Sequence, residues 1–273
     1  MPPPELQRPE SAPRPLALVT GASAGIGRDF AIALAAHGFD LIVIARRDAA
    51  LRDLAAQIHE QHGTAADVWT MDLARRDQRE ALGSRLRELG RPVDVLINNA
   101  GIGMHGWFHE TDLDRELELV ELNCAALTHV AKLVVPGMRA RGMGRVVNVA
   151  SVAAFPPGPL MAVYYASKAY ALSFSDALAE ELDGTGVTVT ALCPGPVTTE
   201  FQERSGLSRS APPGGPSPMT AKAVVDAGMR AMLAGRRRSI PGARNKLVVF
   251  LNRILPRRVM ARLVRNVQLR RLG

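Results

Sequence analysis

Ser151, Tyr164 and Lys168 are the residues of this 273-residue chain whose types and spacing could do chemistry together. Tyr164 and Lys168 lie four apart, so on a helix they share one face about a turn from each other. Ser151 sits thirteen residues before the tyrosine, at the end of the apolar run RVVNVAS. A strand end and a helix start could bring hydroxyl, phenol and ammonium together. An ammonium beside a phenol favours the phenolate, drawing a pKa of about 10 toward the range of a working general acid. The serine hydroxyl could hold a carbonyl oxygen next to that phenol. By itself Y-x-x-x-K is a weak pattern that also suits an ordinary surface helix. It gains meaning only if the chain supplies a hydride donor.

The elements that would position such a donor are legible. LALVT, residues 16–20, is apolar without alternation, as expected of a strand covered on both faces. It runs into TGASAGIG, and a helical pattern follows over 28–37 with Gly38 as its C-terminal stop. Strand, glycine turn and helix in that order are the context of a phosphate cradle. The spacing, Gly21, Gly25 and Gly27, differs from G-x-G-x-x-G, but the physics transfers: a tight turn, close approach of a diphosphate and close helix packing. A glycine-rich turn without a ligand is the competing reading. A second strand, LIVIA, ends at Arg46 and Arg47, with Asp48 expected to cap the next helix. Arginines at that strand end accommodate a ribose 2′-phosphate, where an acidic residue would take the 2′-hydroxyl. A solvated arginine pair would look the same in sequence.

Further strands are expected over 66–73, 93–97, 144–150 and 187–192, with helices at 49–62, 75–89, 112–135 and from Tyr164 to about Leu182. Asp72 would reach the adenine edge or cap a helix. Asn98-Asn99-Ala100-Gly101 would brace neighbouring loops and leave room for a cofactor. Alternating strands and helices imply a parallel sheet with right-handed crossovers, whose ligands sit beyond the strands' carboxyl ends. Thr20, Arg46, Asp72, Asn98, Ser151 and Cys193 all mark those ends, so the candidate polar groups converge on one rim.

TGASAGIG, NNAG, Asn123, the Ser151/Tyr164/Lys168 spacing and PGPVTT together resemble the short-chain dehydrogenase/reductase family over about residues 17–201. The resemblance implies a Rossmann-like, doubly wound α/β fold with a parallel sheet of about seven strands. It implies hydride transfer between NAD(P)(H) and a carbonyl or alcohol. Tyr164 would be the acid/base, Lys168 would bind the nicotinamide ribose and lower the tyrosine pKa, and Ser151 would orient the carbonyl. Asn123 would hold a water joining Lys168 to solvent. Cofactor contacts would come from Gly21, Ser23, Gly25, Ile26 and Gly27 in the first turn, and from Arg46, Arg47, Asp72 and Leu73 at the next strand ends. Asn99, Ala100 and Gly101 would add to these, while Pro194, Gly195, Val197 and Thr199 would anchor the carboxamide. Tyr165 is a rival phenol, but its four-residue partner is Ala169, which makes it a pocket wall. His105 would touch substrate or sit in solvent. The six histidines show no metal-ligand spacing.

A hydrophobic fraction of 47% excludes a disordered chain. Residues 1–15 read as a proline-rich disordered leader, 16–242 as the catalytic domain with a substrate lid or spacer at 202–219, and 243–273 as a tail. Two cysteines, Cys124 and Cys193, in apolar contexts suit reduced thiols in a cytoplasmic protein. The net charge of +8 belongs to the tail: from Arg236 onward there are twelve Lys/Arg and no Asp or Glu, while the remainder carries 22 basic and 26 acidic residues. The tail divides at Pro256 into two amphipathic patterns, one striped by Leu247, Phe250, Leu251, Ile254 and Leu255, the other by Val259, Met260, Leu263, Val264 and Val267. Packing on the domain or a second subunit and peripheral contact with an anionic membrane are both open, whereas nucleic acid has only the charge behind it. The reading is an NADPH-preferring carbonyl reductase, a homodimer or homotetramer, of the branch resembling ketoacyl and hydroxysteroid reductases. Alcohol oxidation with NAD(P)+ and a dinucleotide-sensing or membrane-recruited binding protein are its alternatives.

Overall fold

The computed structural model describes residues 13–206 and 218–271. Seven parallel strands form one sheet in the order β3-β2-β1-β4-β5-β6-β7: β1 Leu16–Thr20, β2 Asp40–Ala45, β3 Ala66–Thr70, β4 Val95–Asn98, β5 Gly144–Val149, β6 Val187–Leu192 and β7 Arg238–Ser239. The doubly wound, Rossmann-like architecture implied by the sequence is therefore present. The order in which strands are added reverses between β1 and β4, the place where such sheets open a crevice for ligands.

Helices cover both faces. One face packs Ala17, Val19, Val43, Ile97 and Val147 against α1 Gly25–Ala36, α2 Asp48–His62 and α8 Ala221–Leu233. The other packs Leu18, Ile42, Leu96, Val146 and Val189 against α3 Arg76–Leu89, α5 Leu127–Arg141 and α6 Ala162–Glu181. Successive strand residues thus alternate between two cores, which is why these strands read as unbroken apolar runs. Gly228 lets α8 close on α1, since a Cβ there would meet the Phe30 ring at 2.7 Å.

Several boundaries differ from expectation, each for a local reason. Helix α1 begins inside the glycine motif, at Gly25, and not after it. The N-cap of α2 is Arg47; Asp48 lies in the first turn and binds Arg52 and Thr70 through its carboxylate. Strand β3 stops at Thr70, so Asp72 sits on the turn beyond it, accepting from the Ala74 amide at 3.0 Å. The long helix expected over 112–135 is α4 Leu113–Val120, a π turn Glu121–Ala126 and α5, ending at Arg141. That continuous stretch is long and apolar enough to cross a bilayer by composition, yet buried side chains along it, Leu122, Val130 and Met138 among them, face the sheet.

Of the expected lid, residues 207–217 lie outside the described residues, as does the leader as far as residue 12. The ends of the lid are held: Val197 bridges Met219, and the short helix α7 Phe201–Arg204 follows β6. The tail forms α9 Ala243–Ile254 and α10 Arg257–Leu269 on either side of Pro256.

Phe30 is fully buried between α1 and α8. Phe30→Ala should cost about 3–5 kcal/mol of unfolding free energy, read as a shift in the denaturant midpoint.

Candidate active site

The rim above β1 and β4 is organised by the Thr20 hydroxyl. It accepts from the Asn99 and Ala100 amides at 2.9 and 3.0 Å and donates to the Ile97 carbonyl at 3.4 Å. The Asn99 side-chain amide then donates to the Thr20 and Gly21 carbonyls at 3.0 and 3.2 Å, holding the glycine turn in place. Gly21 and Gly25 take φ of +67° and +56°, a left-handed region that other residues enter at a cost. A Cβ on Gly27 would overlap the Gly21 carbonyl and the Asn99 amide. The turn, the first amides of α1 and the adjoining Ala100-Gly101 form a cradle closed to side chains and open to a diphosphate. Ile26 packs against the core beneath this cradle, and Gly25 faces the Thr199 side chain across it.

At the ribose end, the two arginines part company. Arg47 turns back to the glycine loop, donating to the Ser23 hydroxyl and carbonyl at about 3.1 Å, and also pairs with Glu200 at 3.0 Å. Arg46 pairs with Glu118 at 2.9 Å and lies 3.9 Å from Asp72. A cleft of about 410 Å³ beside Arg46 is lined by Arg46, Thr70, Met71, Asp72, Arg75 and Gln78, with Leu73 buried nearby. The glycine cradle and this cleft, which presents Arg46, Arg75 and the Asp72 carboxylate, together fit a dinucleotide.

The chemistry-bearing group is compact. Ser151 follows β5, and its Oγ accepts from the Ala153 amide at 3.1 Å and donates to the Pro194 carbonyl at 3.4 Å. Tyr164 lies on the first turn of α6 with Phe201 5.5 Å and Tyr165 6.0 Å from its ring centre. Burial pushes the Tyr164 phenol well above its ordinary range, and the Ser151 hydroxyl beside it pulls the other way. Lys168 lies one turn on, its Nζ 5.8 Å from the Tyr164 ring centre and donating to the Val149 carbonyl at 2.9 Å. Burial lowers the Lys168 pKa from 10.5 to about 8, against the smaller influence of the Cys124 and Cys193 thiols. The expected lowering of the phenol by the ammonium is therefore not what this geometry produces. The lysine is bonded to a carbonyl instead of the phenol, and desolvation dominates both groups.

Asn123 stands inside the π turn. Its Oδ1 accepts from the Ile102 amide at 2.9 Å, and its Nδ2 donates to the Ile102 carbonyl and Ser167 Oγ, each at 2.9 Å. Across Gly101 it faces Lys168: a Cβ there would lie 3.1 Å from Asn123 Oδ1 and 3.6 Å from Lys168 Nζ. Val197 and the Met219 bridge fix the segment Pro194, Gly195, Val197 and Thr199 alongside. All the sequence-derived site residues thus meet on one rim.

Three contributors were missed. Ser167 joins Asn123 to the Tyr164 carbonyl, which it reaches at 2.7 Å; its position three residues after Tyr164 was the available signal. Phe201 roofs Tyr164. Gln268 on α10 donates to the Tyr165 hydroxyl at 2.9 Å, so the rival phenol is engaged by the tail. His105 is half-buried, its pKa lowered by burial while the Gln268 backbone opposes. Cys124 and Cys193 are free thiols, the latter pushed up to about 12 by burial. Among the described residues, no His, Cys, Asp or Glu group could hold a metal.

With fold and site in view, the comparisons are consistent. The family model described as short chain dehydrogenase matches residues 15–209. A very-long-chain 3-oxoacyl-CoA reductase of Pyrenophora tritici-repentis is 38% identical over 192 residues, 68% of this chain and 56% of that protein. The chain thus spans little more than half the length of that curated relative. A short-chain dehydrogenase from Sphingobium yanoikuyae in complex with NADPH superposes with a TM-score of 0.79 at 35% identity, covering 84% of this chain and 88% of that one. A bulky-bulky ketone specific alcohol dehydrogenase from Comamonas testosteroni gives a TM-score of 0.75 at 31% identity, covering 88% and 92%. The chain belongs to the short-chain dehydrogenase family.

The depressed Lys168 pKa has a measurable consequence. Between about 8 and 10.5 the folded chain binds fewer protons at this group than the unfolded chain, so its contribution to stability rises with pH across that window. In Lys168→Met that contribution is gone. Relative to the parent, the variant should be most favoured near pH 7.5 and lose the advantage as pH approaches 10, measured by urea unfolding at stepped pH.

Proposed function

We propose that the protein is an NADPH-dependent reductase of an apolar ketone or aldehyde. The observation that carries this reading is the meeting of Ser151, Tyr164 and Lys168 beside a glycine cradle whose ribose end presents Arg46 and Arg47. Bound NADPH would supply the hydride for the carbonyl carbon. The chain's own residues supply the rest. Ser151 Oγ, turned from the Pro194 carbonyl, hydrogen-bonds the substrate oxygen and orients it. Tyr164 gives its proton to that oxygen as negative charge develops there. Burial keeps the phenol protonated at neutral pH, the state in which it can act as the acid of a reduction. Lys168 offsets the charge left on the phenolate. Asn123, with Ser167 and Gly101 around it, holds the water through which the proton is restored.

Arg47 and Ser23 support the preference for NADPH: together they offer a guanidinium and a hydroxyl to a phosphate monoester at the end of β2. The Sphingobium relative, solved with NADPH, is consistent with this. The relatives named for 3-oxoacyl-CoA and bulky ketones support a large, apolar carbonyl substrate. Phe201 and Tyr165 beside Tyr164 give the cleft aromatic walls suited to one. We further propose a cytoplasmic homodimer or homotetramer; Leu113 and Leu117 on α4 and Tyr170 on α6 are exposed as an unpaired helix face would be.

NADPH consumption over a panel of ketones and aldehydes tests the reading. Tyr164→Phe should lower kcat at least about 100-fold with NADPH affinity nearly unchanged. Tight NADPH binding with no turnover on any substrate would point instead to a dinucleotide-sensing protein. Arg47→Ala should weaken NADPH about tenfold or more and leave NADH binding near its starting value; a parent enzyme that prefers NADH would refute the arginine argument.

A further inference from the structure

The two tail helices, α9 and α10, turn polar side chains toward the domain and apolar ones away from it. On α9 the residues facing the domain are Asn245, Val249 and Asn252, spaced at helical intervals of four and three. Asn252 Nδ2 donates to the Phe155 carbonyl at 2.9 Å, and Asn245 Nδ2 donates to the Pro241 carbonyl at 2.6 Å. Asn245 also packs where a Cβ on Gly195 would otherwise be. The apolar stripe that would normally seat such a helix on its domain points the other way. Leu247, Phe250 and Ile254 are 56%, 56% and 63% exposed. On α10, Met260 and Gln268 are buried, while Val259, Leu263 and Val267, each four residues apart, are exposed.

Charge follows the same face. Nine Lys/Arg and no acidic residue lie between Arg244 and Arg271. None of the nine takes part in an ion pair among the described residues. The arginines just upstream behave differently: Arg237 pairs with Glu180 and Asp183, and Arg238 with Asp176. Arg258, Arg262 and Arg265 form a row beside the Val259, Leu263 and Val267 row on α10. Exposed aliphatic and aromatic side chains flanked by unpaired cations are the two requirements of an interfacial helix. A second copy of the same face would set cations against cations, which disfavours a symmetric contact through it. The loop that meets α10 near His105 adds exposed Trp107 and Phe108 to the same region.

We propose that the outward faces of α9 and α10 are a docking surface for an anionic lipid bilayer. The asparagines and Gln268 hold the two helices to the catalytic domain, so the apolar face is free for lipid and the cations for its phosphates. Since Gln268 reaches Tyr165 and Asn252 reaches the segment after Ser151, docking places the mouth of the cleft at the lipid surface. The docking itself does not depend on the proposed reduction and is measured without it.

The test is co-sedimentation of the full chain with vesicles of phosphatidylcholine alone and of phosphatidylcholine mixed with phosphatidylglycerol. Binding is expected to the mixed vesicles, weakened by salt and much lower on the neutral ones. Phe250→Ser/Ile254→Ser and Arg258→Gln/Arg262→Gln/Arg265→Gln should each reduce it at least about tenfold while thermal unfolding stays near that of the parent. The outward position of all five residues makes that control attainable. Absence of binding to mixed vesicles overturns the proposal. So does binding that both variants retain, or a parent dimer that the Phe250→Ser/Ile254→Ser variant converts to monomer. Equal affinity of both parent and serine variant for random duplex DNA, with no vesicle binding, would assign the cations to nucleic acid and also overturn it.

Discussion

One buried hydroxyl joins the two halves of this sheet at the point where their connection reverses. Thr20 closes β1, and through its Oγ it fixes the backbone that leaves β4. Everything at the rim is referred to that join. Asn99, placed by it, returns to brace the glycine turn; the turn sets the start of α1; and the small residues after Asn99 leave the space that Asn123 and Lys168 border. A parallel sheet can open a crevice only where neighbouring chains part, so a polar tie between β1 and β4 holds the crevice at a defined width. A polar group buried this way must be satisfied, and the Thr20 hydroxyl is.

The second organising constraint is desolvation. Tyr164 and Lys168 are enclosed by Phe201, Tyr165 and the end of β5, and enclosure disfavours the charged form of both. The phenol is kept protonated and the amine is brought toward neutrality. Their proton affinities, nearly equal in the ordinary state, are thereby moved apart, the phenol up and the ammonium down, so the phenol is the tighter holder of its proton.

Fold and site were largely legible because both rest on short-range rules. Unbroken apolar runs such as LALVT and LIVIA mark doubly covered strands, and polar residues at their carboxyl ends must share a rim once the sheet is parallel. What escaped were properties decided by partners distant in sequence. Asp48 had the composition of a cap, but Thr70 and Arg52 claimed its carboxylate. Gln268 reaches Tyr165 across 103 residues, a pairing no local pattern announces. The stripes on α9 and α10 were visible as stripes, yet periodicity gives a face without giving its direction. Asn245 and Asn252 decided that.

The wide turn holding Asn123 also settles a question of phase. From Leu119 to Met138 is nineteen residues, and at about 100° per residue an unbroken α-helix would leave the second about 100° out of line with the first. Both are nonetheless fully buried. The π turn takes up roughly the rotation of one residue, so the helical stretch re-enters α5 with its apolar face restored. An added residue in a helix normally scrambles the contacts of everything after it. Here the insertion is confined to six residues, and the chain gains an inward-pointing amide with buried side chains on either side of it.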